Sequence, residues 1–193
     1  MKKYLFALGS LLLLTNFVKA QHTNYGLKAG YNSSSVQISN GTDYKGKSGL
    51  HIGGLAHIHV TSHFAVQPEL VFSMQGGERT NSKLKMNYIN VPVIGQFMVS
   101  DGFRLQTGPQ IGFLVSAKQK VGDVEVDIDN SFSSVDFSWV FGAGYIFKSG
   151  FGIDARYNLG LSNVSDDNSF EAKNRVLQVG VFYQFTNHKG KNK

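Results

Sequence analysis

The sequence predicts an all-β fold, an eight-stranded antiparallel up-and-down transmembrane β-barrel. In eight segments of the 193-residue chain, apolar and polar residues alternate at period two, and no long stretch keeps a helical period. The connections between these segments are alternately short and long. The last segment ends with the octet 178–185, which is a strand with one apolar face and finishes in Tyr-x-Phe. Together these features are typical of barrels that cross an outer membrane.

The first 20 residues have the pattern of a signal peptide. Lys2 and Lys3 precede an apolar run from Tyr4 to Leu14, and Val18-Lys19-Ala20 offers small residues for cleavage. The run is too short for a membrane-spanning anchor. We therefore predict an exported protein with a signal peptide over 1–20, an outer-membrane barrel over 21–185 and a short basic periplasmic tail over 186–193.

Composition excludes several classes of protein. Cleavage after residue 20 would remove three lysines and lower Lys+Arg from 19 to 16, against 13 Asp+Glu. The tail 186–193 holds three lysines, which equal that excess, so the barrel itself is neutral and the basic pI does not indicate a nucleic-acid partner. The chain has no cysteine, which excludes disulfides and a lipoprotein anchor.

The eight segments share one arrangement of their two faces. One face carries Phe, Tyr, Leu, Ile and Val, and the other carries mostly Gly, Gln, Asn and Ser. In the fourth segment Pro92 removes a ladder donor, which predicts a local irregularity there. The segments lie close to residues 25–32, 50–61, 64–75, 84–99, 103–116, 135–147, 151–161 and 176–185.

Loop lengths and residue sizes indicate how the barrel meets the membrane. Transmembrane barrels have short periplasmic turns and long outer loops. An eight-stranded barrel has room inside only for side chains, so the small polar face should point inward and the large apolar face toward lipid. A soluble lipocalin-like barrel, the alternative, would have the opposite arrangement. The predicted turns are 61–63, 100–102 and 148–150, and the predicted loops are 33–48, 76–83, 119–132 and 162–173.

Five stretches that overlap these strand segments, and together extend over most of the mature chain, carry a family resemblance. They are Gln67-Pro68-Glu69-Leu70-Val71-Phe72-Ser73-Met74-Gln75-Gly76, Tyr88-Ile89-Asn90-Val91-Pro92-Val93, Gly108 to Lys118, Asp136 with Gly142-Ala143-Gly144-Tyr145, and Ala155-Arg156-Tyr157-Asn158-Leu159-Gly160-Leu161. The sequence resembles the small porin-family, or PorT-like, outer-membrane β-barrel proteins of Bacteroidota. The resemblance implies a barrel in the outer membrane of a Gram-negative bacterium, with no settled activity and no functional site to transfer.

Six charged residues fall on the inward face, three of each sign. We predict that they form a structural charge network in the lumen, because charges in a narrow lumen are costly to desolvate unless they pair. Counted from the turns, four of the six lie at similar heights, and we expect Glu69 to pair with Arg156, Lys28 or both. The six are Lys28, Glu69, Arg104, Asp136, Asp154 and Arg156.

The last segment carries a candidate assembly signal: Gln178, Gly180, Tyr183 and Phe185. Their spacing resembles the C-terminal strand by which the barrel-assembly machinery of bacterial outer membranes recognises its clients. The alternative is an ordinary half-buried strand, since many such strands end in Tyr-x-Phe.

Two clusters are candidates for metal binding. His57 and His59 share a strand face, with His63 beyond them, and this spacing suits one metal ion. The segment 123–129 alternates four acids, Asp123, Glu125, Asp127 and Asp129, with apolar residues, which suits Ca²⁺ or a bridge to lipopolysaccharide cations. Polar lumen filling and a solvated hairpin tip explain the two clusters equally well. We therefore expect no metal and no cofactor.

The function predicted from these features is a structural or surface-interaction role without a large channel and without enzymatic activity. The alternatives are a small passive pore and a membrane-embedded lipid-modifying enzyme, either a hydrolase or an acyltransferase. An enzyme would need a nucleophile, a base and an orienting group together, and local sequence marks no such set. The expected partners are outer-membrane lipid and lipopolysaccharide, the barrel-assembly machinery, and an envelope or secretion-complex protein.

Overall fold

The computed structural model describes residues 23–39, 43–165 and 171–185. The predicted signal peptide and the predicted tail lie outside this part of the chain. Within it, no helix has the length and apolarity needed to cross a membrane. The strands are β1 (Thr23–Ile38), β2 (Tyr44–His59), β3 (Phe64–Arg79), β4 (Ser82–Met98), β5 (Phe103–Val121), β6 (Val124–Asp127), β7 (Val135–Ile146), β8 (Phe151–Gly160) and β9 (Ala172–Gln184), with one 3-10 turn over Asp129–Ser131.

Eight of these strands close into a barrel. Each pairs antiparallel with its neighbours along the chain, β5 pairs with β7, and β1 pairs with β9 from Gly26↔Gln184 to Ile38↔Ala172. The short β6 pairs with β5 alone and extends the β5 end as a hairpin. The predicted fold class, an eight-stranded antiparallel barrel, is therefore confirmed.

The two faces of the wall point as the alternation predicts. In β8, Gly152, Asp154, Arg156 and Asn158 are buried, whereas the intervening Phe, Ile, Ala and Tyr side chains are exposed. In the other barrel strands most large apolar side chains are also outside, although Leu55, Val71, Ile94, Val140 and Phe182 are buried inside. An apolar exterior around a polar interior is the pattern of a barrel in lipid.

Strands β1 to β5 are longer than a membrane requires. They have 16 to 19 residues, against 12 in β7 and 10 in β8, whereas about 9–11 tilted residues cross a bilayer. The prediction of long loops over 33–48, 76–83 and 119–132 is therefore wrong in part, because strands continue into all three. For example, β3 and β4 meet at a two-residue turn, in which Asn81 has φ 63°. One side of the wall thus extends beyond the membrane.

The β3–β4 ladder is interrupted at Pro92, where sequence analysis predicted an irregularity, because no pair forms between Pro68↔Val93 and Val71↔Asn90. The pairs Pro68↔Val93 and Val71↔Asn90 share one register across Pro92. The register shift between β4 and β5 instead lies between Asn87 and Tyr88.

Buried apolar side chains fill the loop end of the barrel, where sequence analysis expected a mostly polar inner face. The cluster receives its largest members from β4, whose residues 84, 86 and 88 point inward. Tyr44 and Phe132 pack against it, and Asn174 Nδ2 donates to Tyr88 Oη at 3.2 Å. This mouth cluster consists of Val36, Leu84, Met86, Tyr88, Ala117, Val164 and Ala172.

Candidate functional site

A bidentate ion pair crosses the lumen between β3 and β8. Arg156 Nη1 donates to Glu69 Oε2 at 2.9 Å, and Arg156 Nη2 donates to Glu69 Oε1 at 2.8 Å. The glutamate side chain is fully buried and the arginine side chain is 3% exposed. This geometry is the strongest that a guanidinium and a carboxylate can form. It links two walls of the barrel that share no backbone ladder.

Two further charges complete the group and balance it. Lys28 Nζ, from β1, lies 3.2 Å from Glu69 Oε2 and 3.3 Å from Asp154 Oδ2. Asp154 Oδ2 also lies 3.1 Å from Arg156 Nη2. Two cations therefore face two anions inside the barrel. We call Lys28, Glu69, Asp154 and Arg156 the lumen charge cluster.

Amide side chains satisfy the remaining polar atoms of the ion pair. Gln67 Nε2 donates to Glu69 Oε1 at 2.7 Å, and Arg156 Nε donates to Gln106 Oε1 at 2.6 Å. Buried charges are tolerated when pairing and hydrogen bonds replace their lost hydration. The cluster and its amide neighbours consequently connect β1, β3, β5 and β8 across the lumen.

The structure brings together four of the six inward charges and places the other two elsewhere. Arg104, the second residue of β5, donates through Nη1 to Gln96 Oε1 at 3.2 Å. Asp136, the second residue of β7, accepts from Ser162 Oγ at 2.8 Å and from Asn174 Nδ2 at 2.9 Å. Both side chains are buried, but they lie at strand ends, away from the cluster.

The two candidate metal clusters are not gathered into a metal centre. His57 Nδ1 lies 3.2 Å from Gln67 Oε1, and the His57 and His59 rings make an edge contact at 4.5 Å. His63, in the β2–β3 turn, contacts Ser62 Oγ at 2.9 Å. Among the described residues no three His, Cys, Asp or Glu side chains are grouped to hold a metal ion.

The seam between β1 and β9 closes the barrel, and sequence analysis did not identify how it closes. Gly30 and Gly180 are paired across it. A Cβ on Gly30 would lie 2.4 Å from the Val179 carbonyl oxygen and 2.6 Å from His51 Cε1, so both the strand and the ring depend on the glycine. His51 Nδ1 lies 2.8 Å from Asn32 Oδ1. The only sequence signal for this packing is that Gly30, His51 and Gly180 each lie on the inward face of their strand.

The predicted assembly residues lie on both faces of β9. Gln178 Nε2 donates to Asn32 Oδ1 at 3.0 Å inside the lumen, next to the inward Gly180. Tyr183 and Phe185 point outward, and their rings make an edge contact at 5.5 Å. Gln178 and Gly180 thus have structural contacts of their own, whereas the two aromatic side chains are free to be recognised from outside.

The aromatic pair gives a test of the assembly signal. We expect Tyr183→Ala/Phe185→Ala to slow insertion and lower the amount of folded barrel in the outer membrane, because the closing strand loses its recognition side chains. The control is Tyr145→Ala/Phe147→Ala, an outward aromatic pair in edge contact at 5.0 Å near the β7–β8 turn. Heat-modifiable protein in isolated membranes is measured. Equal levels in the two double variants would show that only general aromatic area matters.

Comparisons with known proteins agree with this architecture. The family model described as the outer membrane protein β-barrel domain matches residues 19–166, more than half of the chain. No curated protein matches. The crystal structure of Neisserial surface protein A (NspA) is similar, with a TM-score of 0.63 at 13% identity over 85% of this chain and 99% of that one. Ail, the attachment invasion locus protein of Yersinia pestis, has a TM-score of 0.53 at 19% identity over the same shares. At these identities the likeness shows the fold alone.

Proposed function

Because the chain belongs to the outer membrane protein β-barrel domain family, we propose that it is a closed barrel of a Gram-negative outer membrane with a structural or surface-interaction role. The observation that carries this proposal is the lumen charge cluster, whose ion pairs span the interior. A protein whose interior is occupied by bonded side chains acts through its wall and its outer surface.

The lumen is filled at two levels, which argues against a passive pore. The lumen charge cluster occupies the transmembrane part, and the mouth cluster fills the loop end with buried apolar side chains. An eight-stranded barrel has an interior just wide enough for its side chains. A water-filled path would require the bidentate Arg156–Glu69 pair to separate, and with it the contacts of Lys28 and Asp154 that join the same walls, which weakens the pairing of four buried charges.

The extended wall is what the protein presents outside the cell. We propose that the short turns lie in the periplasm, so that β6 and the ends of β3 to β5 project from the outer leaflet. Val124 on β6 is 65% exposed. Exposed apolar side chains on a projecting sheet suit contact with another envelope component. The partner that we propose is an envelope or secretion-complex protein, together with lipopolysaccharide around the wall.

Within the family, we place the chain with the PorT-like proteins of Bacteroidota, on the segments given above. The barrel-assembly machinery is its proposed partner during insertion. We propose no enzymatic activity. The inward His51 and His57 hydrogen-bond to the amides of Asn32 and Gln67, an arrangement that holds rings in place without activating a nucleophile.

The proposal is tested by solute flux into liposomes that contain the purified, folded barrel. We expect small neutral sugars to enter no faster than they enter liposomes without protein, because the lumen charge cluster blocks the path. A general porin at equal density serves as the positive control. Sugar entry that rises with the amount of barrel would favour the passive pore instead.

A further inference from the structure

Two pairs of lysines face each other on the outward side of the projecting wall. Lys83 on β4 lies opposite Lys120 on β5, and Lys85 lies opposite Lys118, two residues closer to the membrane. Like charges directly opposite each other destabilise a sheet. We call these four residues the lysine patch. An anion close to the four ammonium groups would reduce the repulsion between them.

Acidic neighbours supply part of that compensation. Glu125 on β6 lies 2.5 Å from Lys85 Nζ and 3.6 Å from Lys118 Nζ, and Glu78 lies 3.2 Å from Lys83 Nζ. The hydrogen bond from Lys85 holds the pKa of Glu125 below its ordinary value. Asp127 lies opposite Lys118 and Glu125 lies opposite Lys120, so the four lysines face three acids and the patch has an excess of one cation. Its ammonium groups are also accessible, since the side chains of Lys83, Lys85 and Lys118 are 43–55% exposed.

The height of the patch on the wall indicates what it meets. Ile89 on β4 and Val115 on β5 are exposed on the same outward face and belong to the lipid-facing surface. Lys85 lies four residues beyond Ile89, and Lys118 three residues beyond Val115. At about 3.3 Å per residue and a tilt of about 40°, Lys85 lies roughly 10 Å above Ile89 along the barrel axis. This is the level of the lipid headgroups.

We propose that the lysine patch binds the phosphate groups of lipopolysaccharide in the outer leaflet. The inference rests on the proposed function and its orientation, in which the loop ends of β1 to β5 project from the outer leaflet to the outside of the cell. Ammonium groups bind phosphate as point charges, and a phosphate between opposing lysines replaces their repulsion with attraction. The patch faces sideways along the membrane plane and continues the lipid-facing surface. A lipid headgroup therefore reaches it more directly than a soluble polyanion does.

The test compares two double variants that change the charge equally. Lys85→Gln/Lys118→Gln removes one opposing pair. Lys45→Gln/Lys173→Gln is the control, because Lys45 lies opposite Glu78 and Lys173 Nζ lies 3.0 Å from Glu171, so neither faces another lysine. Each folded protein is placed in phosphatidylcholine nanodiscs that contain lipid A with two phosphates or dephosphorylated lipid A. Bound lipid A is counted by native mass spectrometry.

We expect the wild type and the control to retain lipid A with phosphates, and the patch variant to bind it about 30-fold more weakly, since the two lysines near a charged surface contribute about 1 kcal/mol each. Binding of dephosphorylated lipid A should be equally weak in all three proteins. Equal retention by the patch variant and the wild type would overturn the proposal. So would tight binding of dephosphorylated lipid A, or a preference for a soluble acidic polysaccharide in competition. Sugar flux through the same three proteins in liposomes reports on the proposed function separately.

Discussion

Glu69→Gln and Arg156→Gln are each expected to destabilise the barrel by about 3 kcal/mol, and the double variant by less than the sum of the two. Either single change leaves the lumen charge cluster with an imbalance of one charge. The double change leaves Lys28 and Asp154, which lie 3.3 Å apart, as a neutral pair. The free energy of unfolding is measured by urea titration in lipid vesicles for all four members of the cycle.

The exposed pair Glu78–Lys83 provides the matched control for this cycle. Its atoms lie 3.2 Å apart, as close as Lys28 and Glu69, but its side chains are 42% and 55% exposed. Water and salt screen such a pair, so we expect a coupling of less than about 1 kcal/mol. If the effects of Glu69→Gln and Arg156→Gln simply add, the two side chains do not act as a buried pair.

Gly30→Val is expected to destabilise the folded barrel by about 3 kcal/mol or more. The new Cβ would lie 2.4 Å from the Val179 carbonyl oxygen and 2.5 Å from Gly180 Cα, and backbone at the closing seam moves only if the ladder moves. Overpacking at a site that cannot relax costs a few kcal/mol. The heat-modifiable fraction and the urea midpoint are measured after refolding into vesicles.

Gly46→Val is the control for the seam, because no heavy atom lies within 4 Å of a Cβ at that position in β2. This substitution introduces the same side chain in a strand, but the new Cβ meets no neighbouring atom. We therefore expect the free energy of unfolding to change by no more than about 0.5 kcal/mol. A Gly30→Val barrel as stable as the Gly46→Val barrel would mean that the β1–β9 seam is looser than these distances require.

The period-two pattern predicted most of the fold, because alternate residues of a strand point to opposite faces of the barrel wall. Once the alternation is recognised, the facing of the six predicted charges follows, and each of the six lies on the inner face. Relative height is harder, since it depends on the register of several ladders and on the shear of the barrel. For this reason parity does not tell which inward charges meet, and Arg104 and Asp136 lie outside the lumen charge cluster.

The loop end shows where sequence interpretation failed. Leu84, Met86 and Tyr88 alternate with Lys83, Lys85 and Asn87, a clear strand pattern, but their large side chains point inward. At membrane depth most large apolar residues face lipid, with Leu55, Ile94 and Phe182 among the exceptions, but at the loop end the rule fails. Above the membrane the outer face meets water or headgroups, so the apolar face turns inward as it does in a soluble barrel.

The claim that bonded side chains close the lumen is tested most directly by ionic current through the purified barrel in planar bilayers. We predict little or no conductance at moderate voltage, with no steady open level, because the lumen charge cluster and the mouth cluster leave no continuous aqueous path. Steady, large channels from single folded monomers would contradict that claim.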